Sequence, residues 1–141
     1  MQALRAIVYV STATQAMRLP QLEALLVEAR RLNLQNDVTG MLLYSDGCFM
    51  QCFEGLEDAV HDTYARIRAS RQHTRIVELL NEQVDARSFA DWQMGFAQPE
   101  PADWMTLSHA RWRSMASEAL CSVANSPGLD LLRGVAARSG R

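Results

Sequence analysis

The chain has 141 residues, 48% hydrophobic and 21% charged, with a net charge of −2. That length suits about one domain whose core needs no staple, and the composition excludes a disordered chain. The charge leaves no electrostatic footprint for nucleic acid or an anionic membrane; with no apolar run near the ~18 residues of a span and no basic-then-apolar leader, a cytoplasmic protein is expected.

Residues 4–11 read as a strand. Ile7-Val8-Tyr9-Val10 is apolar at both parities, so both faces are expected to be covered. After the Ser11–Thr14 break a helix begins near Pro20, a favoured first helical position. Leu22, Leu25, Leu26, Ala29 and Leu32 repeat at helical spacing, Arg30 and Arg31 suit the C-terminal end, and the helix stops between Asn33 and Asn36. The turn Ser45-Asp46-Gly47 between apolar runs predicts a hairpin over 38–54. Glu57 and Asp58 suit the first turn of a second helix, which runs to about Ser70 with Val60, Tyr64 and Ile67 inward. Ile76–Leu80 is a fourth strand, and Trp92–Phe96, after the 85–91 loop, a short fifth with alternating large side chains. This βαββαβ order plus one strand predicts an α+β, ferredoxin-like sandwich with two helices on one face of a mixed sheet.

The other face would carry Val8, Val10, Met50 and Cys52 and needs a cover. A helix over 103–124, with Trp112, Met115, Ala116, Ala119, Leu120 and Val123 on one stripe, and a shorter one from Leu129 to about Ala137 could supply it. The chain thus divides into a main domain over 1–97 and a C-terminal helical extension over 98–141, packed on that domain or shared with a partner chain. Cys48 and Cys52 would lie about 13 Å apart on one strand at ~3.3 Å per residue, too far for a disulfide or a shared metal. They read as core fillers, and Cys121 has no evident partner. His61, His73 and His109 show no ligand spacing and read as ordinary helix or loop histidines, so no metal is expected.

Gln51 breaks the apolar pattern in the middle of its strand, between Met50 and Cys52. A buried amide carries donors and an acceptor that all need partners. Tyr9 and Gln51 share the parity of Ile7 and Phe49, and in this topology the first and third strands are central neighbours, so both side chains would face the two helices. Asn33, at the end of the first helix, and Trp92 and Met94, on one face of the last strand, would line the same slot. Each has an ordinary structural role open to it, Gln51 least readily. The residues alone lead to a polar pocket able to hydrogen-bond a flat heteroaromatic ring.

At these positions the chain resembles the BLUF family of blue-light sensors. The resemblance rests on Tyr9 in Val-Tyr-Val-Ser, Asn33 before Val-Thr-Gly-Met-Leu-Leu-Tyr, Phe-Met-Gln-Cys-Phe-Glu-Gly around Gln51, and Phe-Ala-Asp-Trp-Gln-Met-Gly-Phe; it covers about residues 4–97. Length and C-terminal extension are similar to short stand-alone members. Where the family often has Arg-His after the second helix, this chain has Gln72-His73, which bears on one polar contact to the ring. The resemblance implies non-covalent flavin, usually FAD, with FMN or riboflavin as alternatives. It implies Asn33 on the pyrimidine edge and Gln51 bridging the Tyr9 hydroxyl and the ring. It implies Tyr9 as the electron and proton donor after light, the Gln51 amide left rotated or tautomerised, and a red-shifted absorption. Trp92 and Met94 would pass the change to the C-terminal helices, and from there to an unidentified downstream protein or within a homo-oligomer. Arg30 and Arg31 are candidates for a phosphate contact.

Two other readings compete. An acylphosphatase-like enzyme would need an anion-cradling loop after the first strand, but residues 11–18 contain no glycine, and no acid–base or nucleophile–base motif is evident. A flavin-dependent oxidoreductase would need a substrate pocket beside N5 of the ring, which Gln51 would obstruct, so no enzymatic activity is expected. A light-insensitive interaction module of the same fold would lack a yellow chromophore.

Overall fold

The computed structural model describes residues 3–112 and 126–139. In chain order they form β1 (Leu4–Ala13), α1 (Leu19–Asn36), β2 (Thr39–Ser45), β3 (Cys48–Leu56), α2 (Glu57–Arg68), β4 (His73–Val84), β5 (Gly95–Ala97), α3 (Pro101–Ser108) and α4 (Pro127–Ser139). The five strands make one mixed sheet in the order β4-β1-β3-β2-β5, antiparallel except for the β2–β5 pair. This is the expected ferredoxin-like α+β arrangement.

Local chemistry explains most boundaries. Asp46 and Gly47 both have positive φ, at 48° and 79°, as a two-residue hairpin of this twist requires. Pro20 lies in the first turn of α1, and the Arg18 N–H is capped by Gln21 Oε1 at 2.6 Å. Asp37, left-handed at φ 54°, ends that helix, which leaves Asn33 inside its last turn. β4 is longer than the five residues expected from sequence. It is an edge strand, so Thr74, Arg75, Glu78 and Gln83 lie exposed along it and dilute the apolar signal.

The sheet separates two apolar layers. Ile7, Tyr9, Leu42, Phe49 and Phe53 pack with Leu22 and Leu26 of α1 and Val60 and Tyr64 of α2. Ala6, Val8, Met41, Leu43, Met50 and Cys52 pack on the other side with Leu107, Trp112, Leu129, Leu132 and Val135. Leu132 of α4 is fully buried there, and a side chain of that size contributes about 1.5–3 kcal/mol by leaving water.

Two expected elements are corrected. The helix predicted over 103–124 stops at Ser108; Thr106 Oγ1, Ser108 Oγ and His109 Nδ1 each bond a carbonyl four residues back, at 2.9, 2.8 and 2.9 Å, a pattern that weakens a helix end. Trp112 lies beyond that end, held by Ser126 Oγ donating to its carbonyl at 2.6 Å, while Met115, Ala116, Ala119, Leu120, Cys121 and Val123 fall outside the described residues. The fifth strand begins at Gly95, so Trp92 and Met94 belong to the loop before it. Among the described residues no helix is long and apolar enough to cross a membrane.

Candidate functional site

Tyr9 and Gln51 are register partners on neighbouring central strands. Their side chains enter the layer under α1 and α2, where the Tyr9 hydroxyl donates to Gln51 Oε1. The other end of the amide, Nε2, points at Met94 Sδ, 3.7 Å away. A thioether is a weak acceptor. The amide is thus firmly held at its oxygen and loosely held at its nitrogen.

The Tyr9 ring is packed by Tyr64 at 6.2 Å, Phe53 at 6.3 Å and His73 at 5.7 Å between centroids. Burial, with the neighbouring Tyr64 as a lesser cause, pushes the Tyr9 phenol far above its ordinary value. The hydroxyl therefore remains a proton donor across any physiological pH.

These side chains border a cavity of about 790 Å³ between α1, α2 and the sheet, within the range of cofactor pockets. Its floor includes Tyr9, Leu42, Phe49 and Gln51; α1 contributes Ala24, Leu25, Ala29, Leu32 and Asn33; α2 contributes Thr63, Arg66 and Ile67. Small residues along α1 leave room for something flat. Thr63 Oγ1 is buried with no hydrogen-bond partner in the protein, as expected of a group that meets a ligand. The cavity is a largely apolar slot with an amide, a phenol and an orphaned hydroxyl in its walls, and this fits the polar edge and apolar faces of a flavin ring.

Of the five residues singled out from sequence, the structure brings Tyr9, Gln51 and Met94 into one hydrogen-bonded chain and places Asn33 in the same cavity wall. Asn33 Nδ2 donates to the Gln93 carbonyl at 2.6 Å, so it ties the wall to the loop carrying Met94. Trp92 does not share a face with Met94. It stacks on Phe89 at 6.4 Å in the opposite layer and covers Gly95, where an added Cβ would lie 2.2 Å from its ring. Residues 92–94 are not in a strand, so strand alternation does not govern them.

The arginines also differ from expectation. Arg30 Nε donates to the Met94 carbonyl at 2.8 Å, and Arg31 pairs with Glu28 on the exposed side of α1 at 2.6 Å. Neither lines the cavity; Arg66 and Arg71 do. His73 opens β4 rather than sitting in a helix or loop, and is buried. Its Nε2 lies 2.9 Å from the Ile67 carbonyl and its Nδ1 2.7 Å from Ser11 Oγ. A carbonyl can only accept, so Nε2 carries a proton and donates it to Ile67. Sequence reasoning passed over Thr63, although it sits on the inner stripe beside Val60 and Tyr64.

The model of the family described as sensors of blue-light using FAD (BLUF) matches residues 4–95. The chain belongs to the BLUF family. BLUF domains are flavin-binding photosensor modules, and residues 4–95 hold the whole Tyr9–Gln51–Met94 chain and the cavity around it. Over 98 residues, 69% of this chain, it is 36% identical to the photoactivated adenylate cyclase subunit beta of Euglena longa. It spans only 11% of the length of that relative. Over 69 residues, 49% of this chain and 17% of the relative, it is 41% identical to the blue light- and temperature-regulated antirepressor BluF of Escherichia coli (strain K12). Among solved structures, BlsA in its photo-activated state matches with TM-score 0.68 and 28% identity over 74% of this chain and 76% of that one. The dark-state BLUF protein BlrB matches with TM-score 0.74 over 95% and 98% of the two chains; at 23% identity this shows a shared fold that extends past the family match into the C-terminal helices.

Proposed function

We propose that this chain is a blue-light photoreceptor that holds oxidised flavin non-covalently between α1, α2 and the sheet. Its light signal is a rearrangement of the Tyr9–Gln51–Met94 chain. The observation that carries the reading is that one amide in the cavity wall is shared between a phenol donor and a thioether behind it. Asn33 and Thr63 would hold the polar edge of the ring, Gln51 would lie beside it, and Arg66 and Arg71 stand where a phosphate tail could leave the cavity. The ligand is FAD, with FMN and riboflavin as the alternatives.

A bound flavin supplies blue-light absorption and, once excited, oxidising power. Tyr9 stands ready as the donor, with its proton already directed at Gln51 Oε1. Rotation of the amide would turn Nε2 towards Tyr9 Oη and Oε1 towards Met94. Tautomerisation would place a proton on the oxygen instead. Rotation takes from Met94 Sδ the N–H it now receives, tautomerisation leaves the nitrogen one hydrogen instead of two, and in either case the cavity wall presents a changed set of donors. The loop 92–94 leads directly into β5 and then α3, so the change would pass to the C-terminal helices and on to a downstream protein or a second copy of the chain.

The test is an absorption spectrum of the purified protein before and after blue light. A small, reversible red shift of a flavin band is expected. Absence of flavin after expression with excess FAD would overturn the reading, and lasting bleaching would point to reduction or adduct chemistry instead.

A further inference from the structure

Three consecutive carbonyls of the loop before β5 are each held by a donor from the α1–β2 half of the molecule. Gly40 N–H donates to the Trp92 carbonyl at 3.0 Å, Asn33 Nδ2 to that of Gln93 at 2.6 Å, and Arg30 Nε to that of Met94 at 2.8 Å. Arg30 and Asn33 are three residues apart, so one turn of α1 presents both side chains to the loop. Arg30 supplies the one charged donor of the three. A charged donor makes the stronger bond.

The bond is made at Nε, close to the aliphatic stem. It acts on the backbone of the residue whose sulfur faces Gln51.

We propose that Arg30 is the positioning residue for Met94. Its Nε–H···O bond sets where the thioether stands against Gln51, and so sets how readily the Gln51 amide changes its hydrogen bonds. This rests on the photoreceptor reading for its consequence in light, though not for its consequence in the dark.

Two substitutions separate the hydrogen bond from the charge. In Arg30→Gln, Nε2 follows the same number of side-chain atoms as Nε of arginine, so an uncharged donor is available at the same reach. Arg30→Met has similar length and no donor. Arg30 is itself exposed and is not a core side chain, so neither substitution empties a core position.

The readout is the Met94 methyl resonance in protein labelled at the methionine methyl carbons, assigned by its loss in Met94→Leu. In the dark, Arg30→Met should shift or broaden that resonance, and Arg30→Gln should leave it at the wild-type position. In light, recovery of the dark spectrum should change by about fivefold or more in Arg30→Met, the lower end of ordinary coupling between sites, and by less than about twofold in Arg30→Gln. A wild-type methyl resonance in Arg30→Met, or identical behaviour of the two variants, would overturn the proposal. If the wild-type protein shows no red shift, the photoreceptor reading fails, and the dark methyl comparison still decides the role of Arg30.

Discussion

Tyr9 and Gln51 stand opposite each other on β1 and β3, and the phenol donates to the amide oxygen inside the cavity wall. Gln51→Leu should therefore keep flavin and abolish the red shift. Ligand binding loses few hydrogen bonds, each about 0.5–1.5 kcal/mol net, while the orphaned Tyr9 hydroxyl costs the fold about 1–3 kcal/mol. Light-minus-dark absorbance checks the first effect and urea unfolding the second. A normal photocycle in this variant would make Gln51 a plain core amide.

Tyr9→Phe keeps the ring and removes the donor, so it should bind flavin and fail to switch. Because burial raises the Tyr9 pKa well above 10.0, the wild-type shift should keep its amplitude as pH rises from 7 to 10. A loss of amplitude with a midpoint below 10 would mean that water reaches the phenol.

Glu54, three residues after Gln51, is buried under the loop that leads to Met94. It accepts from the Ser88 and Phe89 N–H groups at 2.8 and 2.6 Å and from the Thr39 hydroxyl at 3.3 Å. Glu54→Gln would turn an amide N–H₂ towards one of these donors, and should cost about 1–3 kcal/mol at pH 7. Unchanged unfolding in urea would show the carboxylate to be dispensable.

Burial also raises the Glu54 pKa above its ordinary 4.5, against the opposing pull of those donors and of Arg87. The folded state then holds this proton more tightly than the unfolded state. The stability it contributes is fully present below pH 4.5 and is lost as pH rises through the raised value. The stability difference between wild type and Glu54→Gln should shrink over that rise, and growth of the difference would contradict the sign.

Gly128, at the start of α4, lies against Trp112, where an added Cβ would come within 2.3 Å of the indole. Gly128→Ala should destabilise the protein by about 1–3 kcal/mol, the usual penalty for overpacking. A thermal melt at or above the wild-type temperature would mean that Trp112 is free to move aside.

The sheet was legible because its signals are local. Asp46-Gly47 demands the hairpin that it makes, and the shared parity of Tyr9 and Gln51 follows once β1 and β3 are neighbours. The loop before β5 was not legible. Trp92, Met94 and Phe96 alternate as a strand would, yet the carbonyls of 92–94 are tied to Gly40, Asn33 and Arg30, far away in the chain. Nothing in a periodicity records such ties. Thr63 was passed over and His73 read as ordinary because a threonine on an amphipathic helix and a histidine beside a turn are common, and only the cavity shows what they face.

Neighbouring residues of β3 look out on opposite sides: Gln51 into the cavity, Met50 and Cys52 into the layer against α4. The sheet works as a bulkhead between two separate layers of side chains. Side chains such as Val8, Leu132 and Val135 belong to that second layer, and none of them lines the cavity. A cyclase subunit and an antirepressor, proteins with little else in common by name, each match this chain over a small fraction of their own length, as a cavity walled off from its attachments would allow.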